Sequence, residues 1–174
     1  MREFRLSGSG GQGLILAGII LAEAAIGDGK EAVQSQSYGP EARGGSSKSE
    51  VIISDSAIYY PKVENPDFLL AMTQEALDKY SGDLKADGVL VVDSTFVKEV
   101  PERFQKVHAV PITRLAKEQL GRDLFANIIA LGIVAKITKA VSLAALEQAV
   151  LARVPKGTEQ KNKQALELGI ASIK

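Results

Sequence analysis

The 174-residue chain has no cysteine and no tryptophan, and its only histidine is His108. Without thiols there can be no disulfide, no thiolate zinc site, no cysteine nucleophile and no cysteine-ligated iron–sulfur cluster on this chain. A single imidazole leaves too little material for a Ser-His-Asp triad or a two-histidine metal site. Charge of one sign is also lacking: Lys plus Arg total 21 and Asp plus Glu total 21, so no long-range field draws the chain to nucleic acid. The longest apolar stretches, around residues 14–26 and 125–137, are shorter than the roughly 18–20 residues that cross a bilayer. The start, Met1-Arg2-Glu3-Phe4, has no basic region leading into an apolar run, so the expectation is a cytoplasmic chain without membrane insertion. What remains is an ordinary globular composition, 45% hydrophobic and 24% charged, at a length that suits one domain over residues 1–174.

The pattern along the chain alternates strands and helices. Residues 4–7 form a short apolar strand that runs into Gly8-Ser9-Gly10-Gly11-Gln12-Gly13, and residues 14–26 then have helical length without proline. Gly27-Asp28-Gly29 stops that helix, and residues 31–35 return as a second strand expected beside the first, a βαβ unit. Residues 36–49 are poor in large apolar side chains and read as a surface loop. Short apolar runs at residues 51–53, 68–72, 89–92 and 107–110 read as further strands, those bounded by Asp, Pro and Gly as strands buried on both faces. Residues 74–80, with Thr73 as cap, and 113–120, ended by Gly121, read as helices between them. Helices at 125–137, 143–154 after Ser142 and 159–173 after Thr158 fill the C-terminal third. The expected fold class is α/β: a Rossmann-like three-layer sandwich with a mostly parallel central sheet and a helical C-terminal third. The helix at 125–137 is apolar nearly all round, which fits either burial within the monomer or a subunit interface.

Two segments carry candidate chemistry. Gly8-x-Gly10-x-x-Gly13, after a strand and before a helix, allows a tight turn whose backbone N–H groups can meet a phosphate, against the plainer role of packing helix on strand. A dinucleotide site also wants an acid at the end of the second strand, where Val33-Gln34-Ser35-Gln36 offers none. A free-standing Rossmann-like protein using NAD(P) or a flavin is therefore the alternative. Arg43-Gly44-Gly45-Ser46-Ser47 combines a guanidinium with unencumbered amides and hydroxyls, an anion-binding composition that equally suits a solvated loop. Gly27-Asp28-Gly29 follows a helix and lacks a downstream asparagine pair, so it reads as a helix-ending turn rather than a thiamine-diphosphate motif. His108, among Val107, Ala109 and Val110, reads as a packed or edge-strand residue. The carboxylates Glu41, Asp55 and Asp93 form no pair at a spacing that fixes an acid/base dyad.

Gly8-Ser9-Gly10-Gly11-Gln12-Gly13, followed by Gln36-Ser37-Tyr38-Gly39-Pro40-Glu41-Ala42-Arg43-Gly44-Gly45, resembles the gamma subunit of the 2-oxoacid:ferredoxin (acceptor) oxidoreductases, most closely the 2-oxoglutarate type. Asn65-Pro66-Asp67, the strand end Val91-Val92-Asp93-Ser94, the segment from Ala126-Asn127 to Gly132 and the segment from Asn162 to Gly169 extend the resemblance over nearly the whole chain. It implies a non-catalytic component of an enzyme that converts a 2-oxoacid and CoA to acyl-CoA and CO2 and passes electrons to ferredoxin. Thiamine diphosphate, magnesium and iron–sulfur clusters would lie on partner subunits, alpha and beta and in some assemblies delta, and the isolated chain would be inactive and able to self-associate as a homodimer. The contact residues it implies are Gly8, Gly10, Gly11, Gln12, Gly13, Tyr38, Arg43, Gly44, Gly45 and Asn127, with CoA contact or a purely architectural role both open.

Overall fold

A computed structural model describes residues 1–38 and 45–174, with Tyr38 described in its backbone alone. A six-stranded sheet runs β2 (Glu31–Tyr38), β3 (Ser46–Ser54), β1 (Arg2–Ser9), β4 (Phe68–Ala71), β5 (Val89–Asp93) and β6 (Lys106–Val110). The pairs β1–β4, β4–β5 and β5–β6 are parallel, and β3 is antiparallel to both its neighbours. The second strand therefore does not lie beside the first, as the sequence suggested: β3 separates them. Much of the expected surface loop is in fact the paired ends of β2 and β3, with Gln36 opposite Ser49 and Ser37 opposite Lys48. These strand ends lack the large apolar side chains that mark a buried strand, yet Ser46, Ser47 and Ser49 are buried because neighbouring elements come close. Helix α1 (Leu14–Gly27) is one of them: a Cβ on Gly18 would lie 2.0 Å from Ser49 Oγ, so a serine sits where a larger residue would hold the helix away.

The helices follow the expected positions closely. Besides α1 they are α2 (Gln74–Tyr80), α3 (Ile112–Leu120), α4 (Ala126–Thr138), α5 (Leu143–Arg153) and α6 (Glu159–Ala171). Thr73 Oγ1 accepts from Ala76 N at 3.2 Å and Ser142 Oγ from Ala145 N at 3.1 Å, so both helices start on a side-chain cap. Gly121, with φ +81°, closes α3 in the left-handed region. Phe125 belongs to a single 3-10 turn before α4 rather than to the helix itself. His108 sits on β6, the far edge of the sheet.

One sheet face carries Phe4, Leu6, Phe68 and Leu70 into the main core with side chains of α1, α3, α4, α5 and α6. The other carries Leu69, Leu90 and Val92 against Leu77 of α2 and Val97. Helix α4 is buried from Ala126 to Ala135, packed among α1, α3, α5 and α6. At its crossing with α6 a Cβ on Gly132 would meet Leu166 O at 2.4 Å and one on Gly169 would meet Ile129 O at 2.0 Å, so the backbones touch. The apolar circumference of α4 is thus accounted for within the chain, and the surface on which self-association through this helix would rest is covered.

Candidate functional site

The chain runs from β1 into α1 on the main-core face and from β4 into α2 on the opposite face, so the sheet order reverses between the adjacent strands β1 and β4. Beyond the carboxyl ends of strands at such a reversal a crevice opens, because successive helices depart to opposite sides. The glycine-rich turn lies there. Gly11 and Gly13 have φ of +87° and +75°, and both need the left-handed backbone that a Cβ penalises. Gln12 folds back so that its Oε1 accepts from Ser9 N at 2.8 Å, filling the space a Cβ on Gly8 would take. Asn127 Nδ2 donates to Gly13 O at 3.2 Å, and Gly10 N donates to Gly45 O at 3.1 Å. The turn is therefore held from three sides while its outer face stays open: a Cβ on Gly10 or Gly11 would meet no atom within 4 Å.

Helix α1 starts directly from this turn. Its first backbone bond is Ala17 N to Gly13 O at 3.0 Å, and no side chain caps the N–H groups ahead of it. The cleft in front, about 460 Å³, is lined by residues 9–13, Thr113 at the start of α3, Ala126 at the start of α4, Asp123, Phe96 and Leu124. Three helix N-termini, those of α1, α3 and α4, thus converge on one space, and their partial positive charges favour an anion. The α3 terminus is already engaged: the buried Asp93 carboxylate accepts from Thr113 N at 3.1 Å and Thr113 Oγ1 at 2.6 Å, pinning α3 to the end of β5. The open amides are those of Gly11 and Gly13 in the turn and of the first turn of α1. Phe96 and Leu124, each about half exposed, form apolar walls beside them. An uncapped helix start flanked by apolar side chains can hold a ligand with an anionic group joined to an uncharged, flat or aliphatic part. Among the described residues no group of three His, Asp or Glu side chains is placed to hold a metal ion.

The structure sorts the candidates. Gly10, Gly11, Gln12 and Gly13 line the cleft. Gly8, Gly45 and Asn127 are not among the lining residues: Gly8 and Asn127 pack and bond the turn from behind, and Gly45 ties it to the β2–β3 connection. The Tyr38 backbone opposes Ser47, while its side chain and Arg43 and Gly44 lie outside the described residues. Sequence reasoning missed Phe96, Thr113, Asp123, Leu124 and Ala126 as lining residues. The available signal was positional, since Thr113 and Phe96 follow the carboxyl ends of parallel strands, where α/β sheets place ligands.

Comparison with known proteins agrees with this architecture. Residues 3–172 match the family model described as pyruvate ferredoxin/flavodoxin oxidoreductase. A 2-oxoglutarate synthase subunit KorC from Methanocaldococcus jannaschii is 52% identical over 171 residues, which is 97% of this chain and 91% of that one. The crystal structure of a keto/oxoacid ferredoxin oxidoreductase gamma subunit from Geobacter sulfurreducens superposes with a TM-score of 0.90 at 54% identity, covering 99% of this chain and 98% of that one. A 2-oxoglutarate:ferredoxin oxidoreductase from Magnetococcus marinus, with 2-oxoglutarate, coenzyme A and succinyl-CoA bound, is alike in fold: TM-score 0.86 at 21% identity over 98% of this chain and 30% of that one. None of these supports the free-standing nucleotide-binding alternative, and no helix among the described residues is long and apolar enough to cross a membrane.

Proposed function

The chain belongs to the pyruvate ferredoxin/flavodoxin oxidoreductase family, and we propose that within it the protein is the gamma subunit of a 2-oxoglutarate:ferredoxin oxidoreductase, one unit over residues 1–174 that presents its glycine-turn cleft to CoA. The observation that carries the reading is identity above one half, over nearly the whole of both chains, with a 2-oxoglutarate synthase subunit and with a keto/oxoacid ferredoxin oxidoreductase gamma subunit. The cleft supports the CoA part. CoA joins phosphates to an adenine and an aliphatic arm, which suits open amides at an α1 start flanked by Phe96 and Leu124.

The division of labour follows from composition. A chain without cysteine supplies no thiolate for an iron–sulfur cluster, and the Gly27-Asp28-Gly29 segment closes α1 rather than opening a cofactor loop. Thiamine diphosphate with magnesium, which carries the decarboxylation, and the clusters that accept electrons belong in this proposal to the alpha and beta subunits, with a delta subunit in assemblies that have one. This chain binds and orients: Gly11 and Gly13 offer backbone donors, Gly10 and Gln12 line the cleft with their own N–H groups bonded within the turn, Gly8, Gly45 and Asn127 fix the turn, and Tyr38, Arg43 and Gly44 contribute on the strength of the sequence. Arg43 pairs an anionic group of CoA. Subunit omission tests the reading. The chain alone should be colourless and should not reduce a viologen with 2-oxoglutarate, CoA, thiamine diphosphate and magnesium present, and turnover by the isolated chain would contradict the subunit assignment. In the assembled enzyme Arg43→Ala should raise the KM for CoA by about 10-fold to 100-fold, the loss expected for one charge-assisted hydrogen bond, and an unchanged KM would remove Arg43 from the site.

A further inference from the structure

The end of the sheet opposite the glycine turn has a surface of its own. Of the eight large apolar or aromatic side chains exposed among the described residues, Met1, Ile26, Tyr59, Tyr60 and Leu143 belong to this end. Met1 precedes β1, Ile26 ends α1, Leu143 starts α5, and the two tyrosines lie on the connection from the end of β3 to the start of β4. Patches of this composition, aromatic and aliphatic together, are what protein interfaces bury.

Cations surround it. Two grooves meet at Lys30 and Lys139: one also lined by Met1, Arg2 and Asp55, the other by Lys136, Asp28 and Leu143. Arg2 and Lys30 are fixed to the carbonyls of Thr138, the last residue of α4, and Ala140, just beyond it. Lys136 and Lys139 form no salt bridge among the described residues, and one of the two groove carboxylates, Asp28, is engaged by Ser142 through both its backbone N–H and its hydroxyl. Lys139 itself has φ +51°, the only non-glycine residue with positive φ among those described. Glycine is the usual residue at a helix end of this shape, so lysine here accepts backbone strain and keeps an ammonium on the rim.

We propose that this end of the molecule is a docking surface for another subunit of the same assembly, one that presents carboxylates around an apolar patch and seats them against Lys30, Lys136 and Lys139. The inference rests on the subunit reading above, and it places the contact away from the cleft, which stays free for its ligand. Charge complementarity argues for the acidic partner: the grooves hold Arg2 and three lysines against Asp28 and Asp55 on a chain whose overall charge is zero.

Amine footprinting of the complex tests it. The tagged chain, free or co-expressed with its alpha and beta subunits, is acetylated with an N-hydroxysuccinimide ester and each lysine's extent is read by mass spectrometry. Lys136 and Lys139 should be protected at least about 5-fold in the complex, while Lys156, beyond the far end of α5, reacts equally in both. Lys136→Glu with Lys139→Glu should weaken assembly about 10-fold or more and make it less salt-sensitive. Lys139→Gly, which relieves the strained backbone, should leave the melting temperature of the free chain unchanged or higher while still weakening assembly. A complex that forms with Lys136 and Lys139 as reactive as in the free chain overturns the docking surface and leaves the subunit reading standing. Failure to form any complex overturns both.

Discussion

Alanine in place of Gly13 should destabilise the chain more than alanine at Gly10 or Gly11, and the order follows from the backbone. At Gly13 the left-handed φ of +75° costs alanine about 1–2 kcal/mol, and its Cβ would lie 2.5 Å from Asn127 Nδ2. That nitrogen has to move, which breaks its bond to Gly13 O and adds about 1 kcal/mol. The total is about 2–3 kcal/mol, so with a urea slope of about 2 kcal/mol/M the unfolding midpoint should fall by about 1–1.5 M. Gly11→Ala carries the φ penalty alone, since its Cβ meets nothing, and should cost about 1 kcal/mol. Gly10→Ala has neither penalty and should stay within about 0.5 kcal/mol of the parent, or gain slightly from a stiffer unfolded chain. In the assembled enzyme the Gly10→Ala methyl points into open space at the cleft, so this well-folded variant should show a several-fold higher KM for CoA. Equal midpoints for Gly10→Ala and Gly13→Ala would refute the geometry of the turn, and a normal KM for Gly10→Ala would refute its use by CoA.

Arg5 is buried, with Nε on Glu50 Oε2, Nη1 on Tyr80 O and Nη2 on Asp83 Oδ2, each at 2.9 Å. Burial alone lowers its pKa, but the hydrogen bonds and charges of Asp83 and Glu50 outweigh that and hold it above the ordinary arginine value. Arg5→Met should cost about 3 kcal/mol, the low end for breaking a buried pair, because Glu50 loses Arg5 but keeps Lys48 on its other oxygen, and adding Glu50→Leu should recover part of it, as urea titrations of both variants would show. Asp28, whose carboxylate receives Ser142 Oγ and Ser142 N at 2.6 Å each, has its pKa lowered first by the side-chain and then by the backbone bond. Its contribution is therefore complete above the ordinary carboxylate range and lost as pH falls through the depressed value in the folded chain. Asp28→Asn should lower stability at pH 7 by no more than about 1 kcal/mol, since the site is exposed, and thermal melts of the two proteins should converge in acid. A difference that grows in acid would contradict the assignment.

Several of the α-helices were legible because they carry their own punctuation, while α4 and α6 start without a side-chain cap. Thr73 and Ser142 are caps that work as their positions suggest, and Gly121 stops α3 with the left-handed backbone its type favours. The parallel strands β4 and β5 showed as apolar runs since their side chains are covered on both faces, while β6, at the sheet edge, stays mostly exposed. The body of β2 at 31–35 and of β3 at 51–53 was legible as strand, but their paired ends at 36–38 and 46–49 were hidden for the opposite reason. Serines at 46, 47 and 49 are buried by close neighbours such as α1 rather than by their own hydrophobicity, and a strand made of them looks like a loop. Its antiparallel insertion between β1 and β2 is a long-range fact that no local pattern encodes. The glycine turn was visible in the sequence, but its cleft was not, because Phe96, Leu124 and Ala126 come from segments about 85 to 115 residues further along and meet it only through the order of the sheet. Asn127 was found through the resemblance, and the structure gives the physical reason: its amide holds the carbonyl at the start of α1.

The central claim, that this chain works as the gamma subunit of a 2-oxoglutarate-oxidising assembly, is tested most directly by affinity purification of the tagged chain from its native host followed by one activity assay on the eluate. The account predicts larger subunits in fixed ratio, the brown colour of iron–sulfur clusters, and viologen reduction that requires both 2-oxoglutarate and CoA. Elution of the chain alone and colourless, with the 2-oxoglutarate- and CoA-dependent activity remaining in the flow-through, would contradict it.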